Sequence, residues 1–309
     1  MLPAFLGLLP FFIFISIGTI GGYFKLFDQK NARALNLFVF YVAIPALVIK
    51  IVSGHKSDYL NLELLGIYVL MQLIVGIASF YVTKVYFLKS LPESIIWALT
   101  VSLTNHVLLV YPISKTLFDQ NVSMQVSSII VMDILLLISI ITFCLEYVTK
   151  KKITWWIFLK DLLKNPIILS IIFSLILNFQ DIGIGSGAFY FTISSLANCT
   201  VPVGLFALGI ILSQHLNNLI SRLTLSIAFL KMALSPTLLI FFVFVFLDIT
   251  QPSEYLGGLL VSIGPCGAMS LAFCAAYNVS PADFIKAIFV STCLSLLCFF
   301  VLIHQLSIA

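Results

Sequence analysis

Four stretches of this sequence carry groups able to do chemistry. Thr104, Asn105 and His106 stand together in "SLTNHVLLVYP", Asp133 sits in "VMDIL", Lys231 opens "KMALSP", and "IGPCGAMSLAF" sets Gly264, Pro265, Cys266 and Gly267 in a row. All four lie inside apolar runs, where an ionisable group is expensive and faces a partner or a water-filled cavity. Counted outward from Asn121, His106 is 15 residues away and Asp133 is 12. At 1.5 Å per residue that is a depth difference of about 4.5 Å, so the two can meet across an antiparallel helix pair and hold or pass a proton. Lys231 offers a fixed positive charge to an anion. Proline removes an amide donor and glycine removes side-chain constraint, so the run at 264–267 interrupts its helix and frees backbone groups. Half-helix N-termini at such a break suit a carboxylate. Each reading has a structural competitor. His106 and Asp133 can form a purely structural pair, Lys231 can snorkel to the surface, Asn105 can join two helices and Pro265 can be a packing kink.

The elements that must position these groups are transmembrane helices. Hydrophobic residues make up 61% and charged residues 9% of the 309, with a mean hydropathy of +1.16, against roughly 25% charged in soluble domains. Between charged or turn-rich breaks ten apolar stretches are expected to span the bilayer: 4–24, 35–52, 62–83, 95–117, 124–148, 162–180, 187–212, 223–247, 256–277 and 284–307. Each approaches the roughly 20 residues that cross a hydrocarbon core of about 30 Å. The N-terminal stretch lacks a basic n-region and a small-residue cleavage site, and reads as a retained first span. Cys144, Cys199, Cys266, Cys274, Cys293 and Cys298 lie in apolar segments without metal or disulfide spacing, so they read as small buried hydrophobes. No cofactor, no metal and no nucleic-acid partner is expected.

Alternate connections carry twelve basic residues on one side and three on the other. The positive-inside rule puts the first side in the cytoplasm and both termini outside, as a multi-pass cell-membrane protein. The stretch "TKKKITWWIFLKDLLKN" interleaves lysines with Trp155 and Trp156 and suits an interfacial helix. It divides the chain into 1–148, a cytoplasmic linker 149–164, and 165–309. Pro45 and Pro202 are 157 apart, as are the "NVS" stretches at Asn121 and Asn278, both read as turns. The same offset lays spans one to five over spans six to ten. With five spans per half, the second half enters from the opposite face, so the fold expected is all-α with two inverted five-helix repeats. Such repeats mark secondary transporters, with the substrate site where broken helices meet near the midplane.

At these residues the chain resembles the auxin efflux carrier family, which includes the plant PIN proteins and bacterial permeases for small dicarboxylates. The similarity runs over essentially the whole length and is strongest in "GPCGAMSLAFCAAYNVSPADF". Asn105 with Pro112, "FVFYVAIPALV", "GLFALGIIL", the Lys231-to-Pro236 spacing and "LEY" at Leu145 to Tyr147 echo it in order. The resemblance implies a ten-helix fold similar to bile-acid and sodium/proton transporters, with helices four and nine crossing at the substrate site, Asn105 a substrate ligand and Pro265 the helix breaker. Two departures stand out. PIN-type members have proline where this chain has Thr104, and glycine where it has Val110, so a plant-type substrate does not follow.

The function expected is transport of small organic anions, mono- or dicarboxylates, by alternating access, either facilitative or secondary active with a proton as the coupling ion. The alternative is a sodium-coupled symporter of the bile-acid type, which needs a cluster of oxygen ligands near the crossing. Ser262, Ser270 and backbone carbonyls are the oxygens offered there. The four histidines, His55, His106, His215 and His304, are scattered, which leaves an intramembrane enzyme without a metal set or a nucleophile with its base. A scaffold or receptor gives no reason for two midplane breaks. A homodimer is left open.

Overall fold

The computed structural model describes residues 2–53, 61–149, 163–179, 187–214, 219–247 and 252–306. The lysine- and tryptophan-rich stretch 150–162 lies outside them. Besides a short 3-10 turn at Pro252–Glu254, twelve helices follow in chain order among the described residues: α1 Leu2–Tyr23, α2 Gln29–Ser53, α3 Leu62–Tyr86, α4 Leu91–Ser102, α5 at 106–117, α6 Gln120–Thr149, α7 Pro166–Phe179, α8 Ala188–Ser213, α9 Arg222–Phe246, α10 Leu256–Ser262, α11 Ser270–Ala276 and α12 Ala282–Leu306. Seven of them, α1, α2, α3, α6, α8, α9 and α12, are long and apolar enough to cross a membrane. α4 has 12 residues and α10 has 7, about 18 Å and 10 Å of helix, too short to cross alone.

Short polar side chains start the helices. Asp28 and Asn31 cap each other's backbone at α2, and Asn61, Ser90, Asp119 and Ser221 accept the amides three residues on at α3, α4, α6 and α9. These satisfy donors that have no partner within the helix. Asp119 also corrects one detail of the sequence reading. The "NVS" at Asn121 lies in the first turn of α6, because Asp119 starts that helix first. Its counterpart Asn278 does sit in a turn, with a left-handed φ of 54°, a conformation that asparagine tolerates.

The helices pack in two groups. α1 lies along α8, where Gly18 meets Phe206 and Gly209 meets Ile15 at backbone distance, and α2 lies against α7 and α8. Small residues at such contacts let helix backbones approach closely in a membrane. The second group holds α3 against α4 and α9, α6 against α4 and α10, and α9 against α12. The two groups touch where Leu108 of α5 packs on Gly204 of α8. Large apolar side chains such as Ile17, Phe241, Phe244, Leu297 and Val301 cover the outside, a surface suited to hydrocarbon and not to water.

Among the described residues five helical stretches widen into a π turn, at Val39–Ala43, Val82–Tyr86, His106–Val110, Asp133–Leu137 and Leu230–Leu234. Such bulges are frequent at functional sites. Here three of them begin on or next to His106, Asp133 and Lys231, and so re-aim those three side chains relative to a regular helix.

Candidate functional site

Two interrupted helices cross in the middle of the second group. α4 ends at Ser102, Leu103 turns extended, and the chain becomes helical again at His106. α10 ends at Ser262 and α11 begins at Ser270. Between them Thr104 and Cys266 pair as a single antiparallel bridge. The Asn105 amide donates to the Pro265 carbonyl at 2.9 Å, the Gly267 amide to the Thr100 carbonyl at 3.0 Å, and Thr104 Oγ1 to the Val261 carbonyl at 3.0 Å. The broken helix ends thus supply partners to one another, which a bilayer interior demands.

Glycine is required at two points of the crossing. A Cβ at Gly264 would collide with Thr104 Cγ2 and come 2.7 Å from Val110 Cγ2, and one at Gly267 would stand 2.6 Å from the Leu103 carbonyl oxygen. α12 supports this second segment from behind. Ser291 Oγ accepts the Cys266 amide at 3.0 Å and Ser295 Oγ donates to the Ile263 carbonyl at 2.7 Å. The Cys266 and Gly267 amides therefore both have protein acceptors.

A buried polar cluster adjoins the first segment. His106 Nε2 and Asp133 Oδ2 are 3.1 Å apart, with the two side chains 4% and 1% exposed. The Tyr68 hydroxyl donates to the same carboxylate oxygen at 3.3 Å. Gln72 Nε2 lies 2.8 Å from Asp133 Oδ1, 2.9 Å from Tyr68 Oη and 3.2 Å from the Ser102 carbonyl, sharing two hydrogens among three acceptors. Ser102 Oγ returns a bond to the Gln72 carbonyl at 3.1 Å. Lys231 is 1% exposed and reaches inward, donating to Thr104 Oγ1 at 2.6 Å. Its ammonium is thus at the crossing and not at the membrane surface. No direct ion pair joins Lys231 to Asp133.

Polar groups are left over at the crossing, and enclosed atoms without a partner also occur at Trp97 Nε1, Thr200 Oγ1 and Ser235 Oγ among the described residues. The Asn105 side chain is buried to 7% exposure and makes no hydrogen bond among the described residues. His106 Nδ1 is buried without a partner. A buried polar atom without a partner is rare enough to call for an explanation such as a ligand or an unbound proton carrier. Among the described residues no three His, Cys, Asp or Glu side chains converge as a metal site would need.

Tyr68, Gln72, Ser102, Ser291 and Ser295 escaped the sequence reading. Their signal was weak but present. Gln72 is a lone amide in an apolar span, four residues from Tyr68 on the same face of α3, and Ser291 and Ser295 are also four apart. A cavity of about 560 Å³ lies between α3, α4 and α6. One end meets Gln72, Ser102 and Asp133, and the rest is walled by side chains such as Ile77, Ile95, Ile140 and Phe143.

Residues 3–303 match the family described as membrane transport protein. The chain belongs to this family, the auxin efflux carriers and their PIN-like relatives. The carrier is therefore a membrane transport protein and not an enzyme. No curated protein sequence matches it. The match takes in both interrupted segments, the polar cluster and, but for a few end residues of α1 and α12, the seven long apolar helices of the described residues.

Proposed function

We propose that the carrier moves a small carboxylate across the cell membrane by alternating access, with a proton as the coupling ion. The observation that carries this reading is the buried Asn105 side-chain amide, which makes no hydrogen bond among the described residues. It stands at the helix crossing between Lys231, through Thr104, and the His106–Asp133 pair, through its chain neighbour. Asn105 is the substrate ligand, Lys231 supplies the positive charge, and Thr104 with Gly264, Pro265, Cys266 and Gly267 shapes the crossing around the anion.

Charge arithmetic supports the pairing of anion and proton. With His106 neutral, Lys231 and Asp133 sum to zero. One proton taken up by the His106–Asp133 pair makes the cluster +1, and a monocarboxylate returns it to zero. A neutral loaded site is the least expensive to carry through hydrocarbon.

The same reading takes α4 with α5, and α10 with α11, as two broken spans, giving ten spans in two inverted halves, 1–148 and 165–309. Shifting α2 and α3 by 157 residues lands within three residues of the ends of α8 and α9. Several contacts fit the alternating traverse. Lys89 bonds Asp283 at one end of the bundle, and Lys50 bonds Ser194 and Gln125 bonds Ser253 at the other. The basic residues then put both termini outside.

The test is a panel of carboxylates screened for thermal stabilisation of the purified carrier, followed by uptake of the labelled binder into proteoliposomes. Uptake is expected to rise as the pH on the substrate side falls, and Asp133→Asn is expected to flatten that dependence. An Asp133→Asn carrier that keeps the wild-type pH profile overturns the role of the pair.

A further inference from the structure

The cavity between α3, α4 and α6 meets the polar cluster at one end only, and the rest of it is a groove on the side of the bundle. Its floor is low because Gly76, Ala98 and Ser102 are small, and glycine at 76 lets the Ser102 hydroxyl come against α3. Its rim is made by Leu73, Ile77, Leu136 and Ile140, each 44–56% exposed, so the mouth opens sideways, where the bilayer lies. The groove runs from Val69 to Tyr81 on α3, from Ser102 back to Leu91 on α4 and from Met132 to Val148 on α6. These stretches are about 18, 17 and 24 Å of helix, against about 15 Å of hydrocarbon in each leaflet, crossed by helices that tilt. The groove therefore covers one leaflet, from the midplane to one membrane surface.

Its two ends differ. At the inner end the Asp133 oxygens face Tyr68, Gln72 and His106, and Ser102 Oγ donates to the Gln72 carbonyl. These groups are already partnered, so a hydrocarbon tip can lie against them. At the outer end Tyr81 and Tyr147 are 60% and 72% exposed, the placement of aromatic rings at headgroup level. Lys84 follows three residues beyond Tyr81. Its ammonium bonds the Lys89 carbonyl at 3.2 Å and makes no ion pair among the described residues. The acids nearby are engaged or turned inward, since Glu93 and Asp283 pair with Lys89 and Glu146 is buried.

An empty groove of this size leaves its apolar walls without neighbours and forfeits their dispersion contacts. The geometry points to one anionic phospholipid as its occupant, with an acyl chain laid along the groove, the chain end beside Gln72 and Asp133, and the phosphate at Lys84. A zwitterionic headgroup fits less well, because its ammonium brings a second cation beside Lys84. The chain walls off the Asp133 carboxylate on its bilayer side. This inference does not depend on what the carrier moves.

Photolabelling of the full chain tests it. The carrier is placed in phosphatidylcholine vesicles that carry a minor fraction of phosphatidylglycerol with a diazirine at the end of one acyl chain, irradiated, and the labelled residues are mapped by mass spectrometry. Label is expected on Ile95, Leu137 and Ile141, which line the groove and are only 7–9% exposed, besides the outward Leu294 and Leu297 that any surrounding lipid reaches. Label confined to outward residues overturns the proposal. Ala98→Phe fills the floor and is expected to remove the groove label while leaving that on Leu294 and Leu297, and groove label that survives a folded Ala98→Phe counts against the chain's placement. If Ala98→Phe does not accumulate, Leu73→Trp at the exposed rim makes the same comparison. The headgroup is tested by moving the diazirine to phosphatidylcholine. Groove label is expected to be about fivefold weaker, as one lysine near the surface contributes, and Lys84→Gln is expected to abolish the difference. Equal labelling of wild type by the two lipids overturns the anionic headgroup.

Discussion

The two interrupted segments occupy the same place in the fold and are built in opposite ways. The first break spans three residues, Leu103 to Asn105, and works through side chains. Thr104 takes a bond from Lys231, and the residues on either side lead to the Gln72 bond at Ser102 and to the His106–Asp133 pair. The second spans seven, Ile263 to Met269, and works through backbone, with two glycines making room and two serines of α12 holding the chain in place. Chemistry is concentrated on one segment and space on the other. Removing a side chain should therefore hurt at the first crossing, and adding one should hurt at the second.

The largest effect expected from that contrast is Gly267→Ala. The added methyl faces the Leu103 carbonyl oxygen, which is backbone already fixed by the crossing and cannot swing away. Overpacking of this kind costs about 1–3 kcal/mol and occasionally more, so the melting temperature of the purified protein should fall by several degrees or the protein should fail to accumulate. Gly264→Ala meets side chains instead, Thr104 and Val110, and should be the milder of the two. A Gly267→Ala carrier that melts with wild type would mean that the second segment is not tightly packed at all.

Asn105→Ala comes next and should separate binding from stability. The Asn105 side-chain amide makes no hydrogen bond to any described residue, and alanine keeps the backbone bond to Pro265, so its loss removes no hydrogen bond the fold depends on. A hydrogen bond to a charged ligand contributes about 1.5–3 kcal/mol, so substrate affinity should fall by roughly 10- to 100-fold while the melting temperature stays near wild type. A large drop in melting temperature instead would return Asn105 to the role of a helix-joining residue.

The contrast also shows which parts of the site could be read from sequence. Residue types marked the breaks, since Gly264, Pro265 and Gly267 are visible as letters, and counting depth along two helices brought His106 to the level of Asp133, 3.1 Å away. Tyr68 and Gln72 were only faintly legible, as a lone amide four residues from a tyrosine, because their role depends on which face of α3 turns inward, and a span that is apolar almost all round does not say. The π turns were not legible either. They insert one residue into a 3.6-residue pattern, a shift that a uniformly apolar sequence hides. The supporting serines on α12 look like ordinary small residues at a helix contact, and only their distances to Cys266 and Ile263 distinguish them.

Ser295→Ala probes that support with a smaller effect. It removes the donor to the Ile263 carbonyl and leaves that oxygen buried without it, a loss of about 1–3 kcal/mol. The second break should loosen without any change at the first, so carboxylate affinity should move less than for Asn105→Ala. If Ser295→Ala weakens binding as strongly, the two segments respond as one unit and the division of labour between them fails.

Cys266→Ala should be the quietest of the five, and for that reason it is the sharpest test of the contrast. Cys266 is fully buried beside Pro265, pairs with Thr104 and lies at the centre of the crossing, where any side chain with a chemical role would matter. Yet the hydrogen bond it makes to Ser291 comes from its backbone amide, and alanine keeps that bond. What is lost is one sulfur atom from a packed interior, about 1 kcal/mol by the cost of removing a small buried apolar group. Uptake should remain within about fivefold of wild type even if that whole cost fell on transport. A tenfold loss of transport at unchanged melting temperature would show that the thiol itself touches the substrate, and the second segment would then carry side-chain chemistry as the first does.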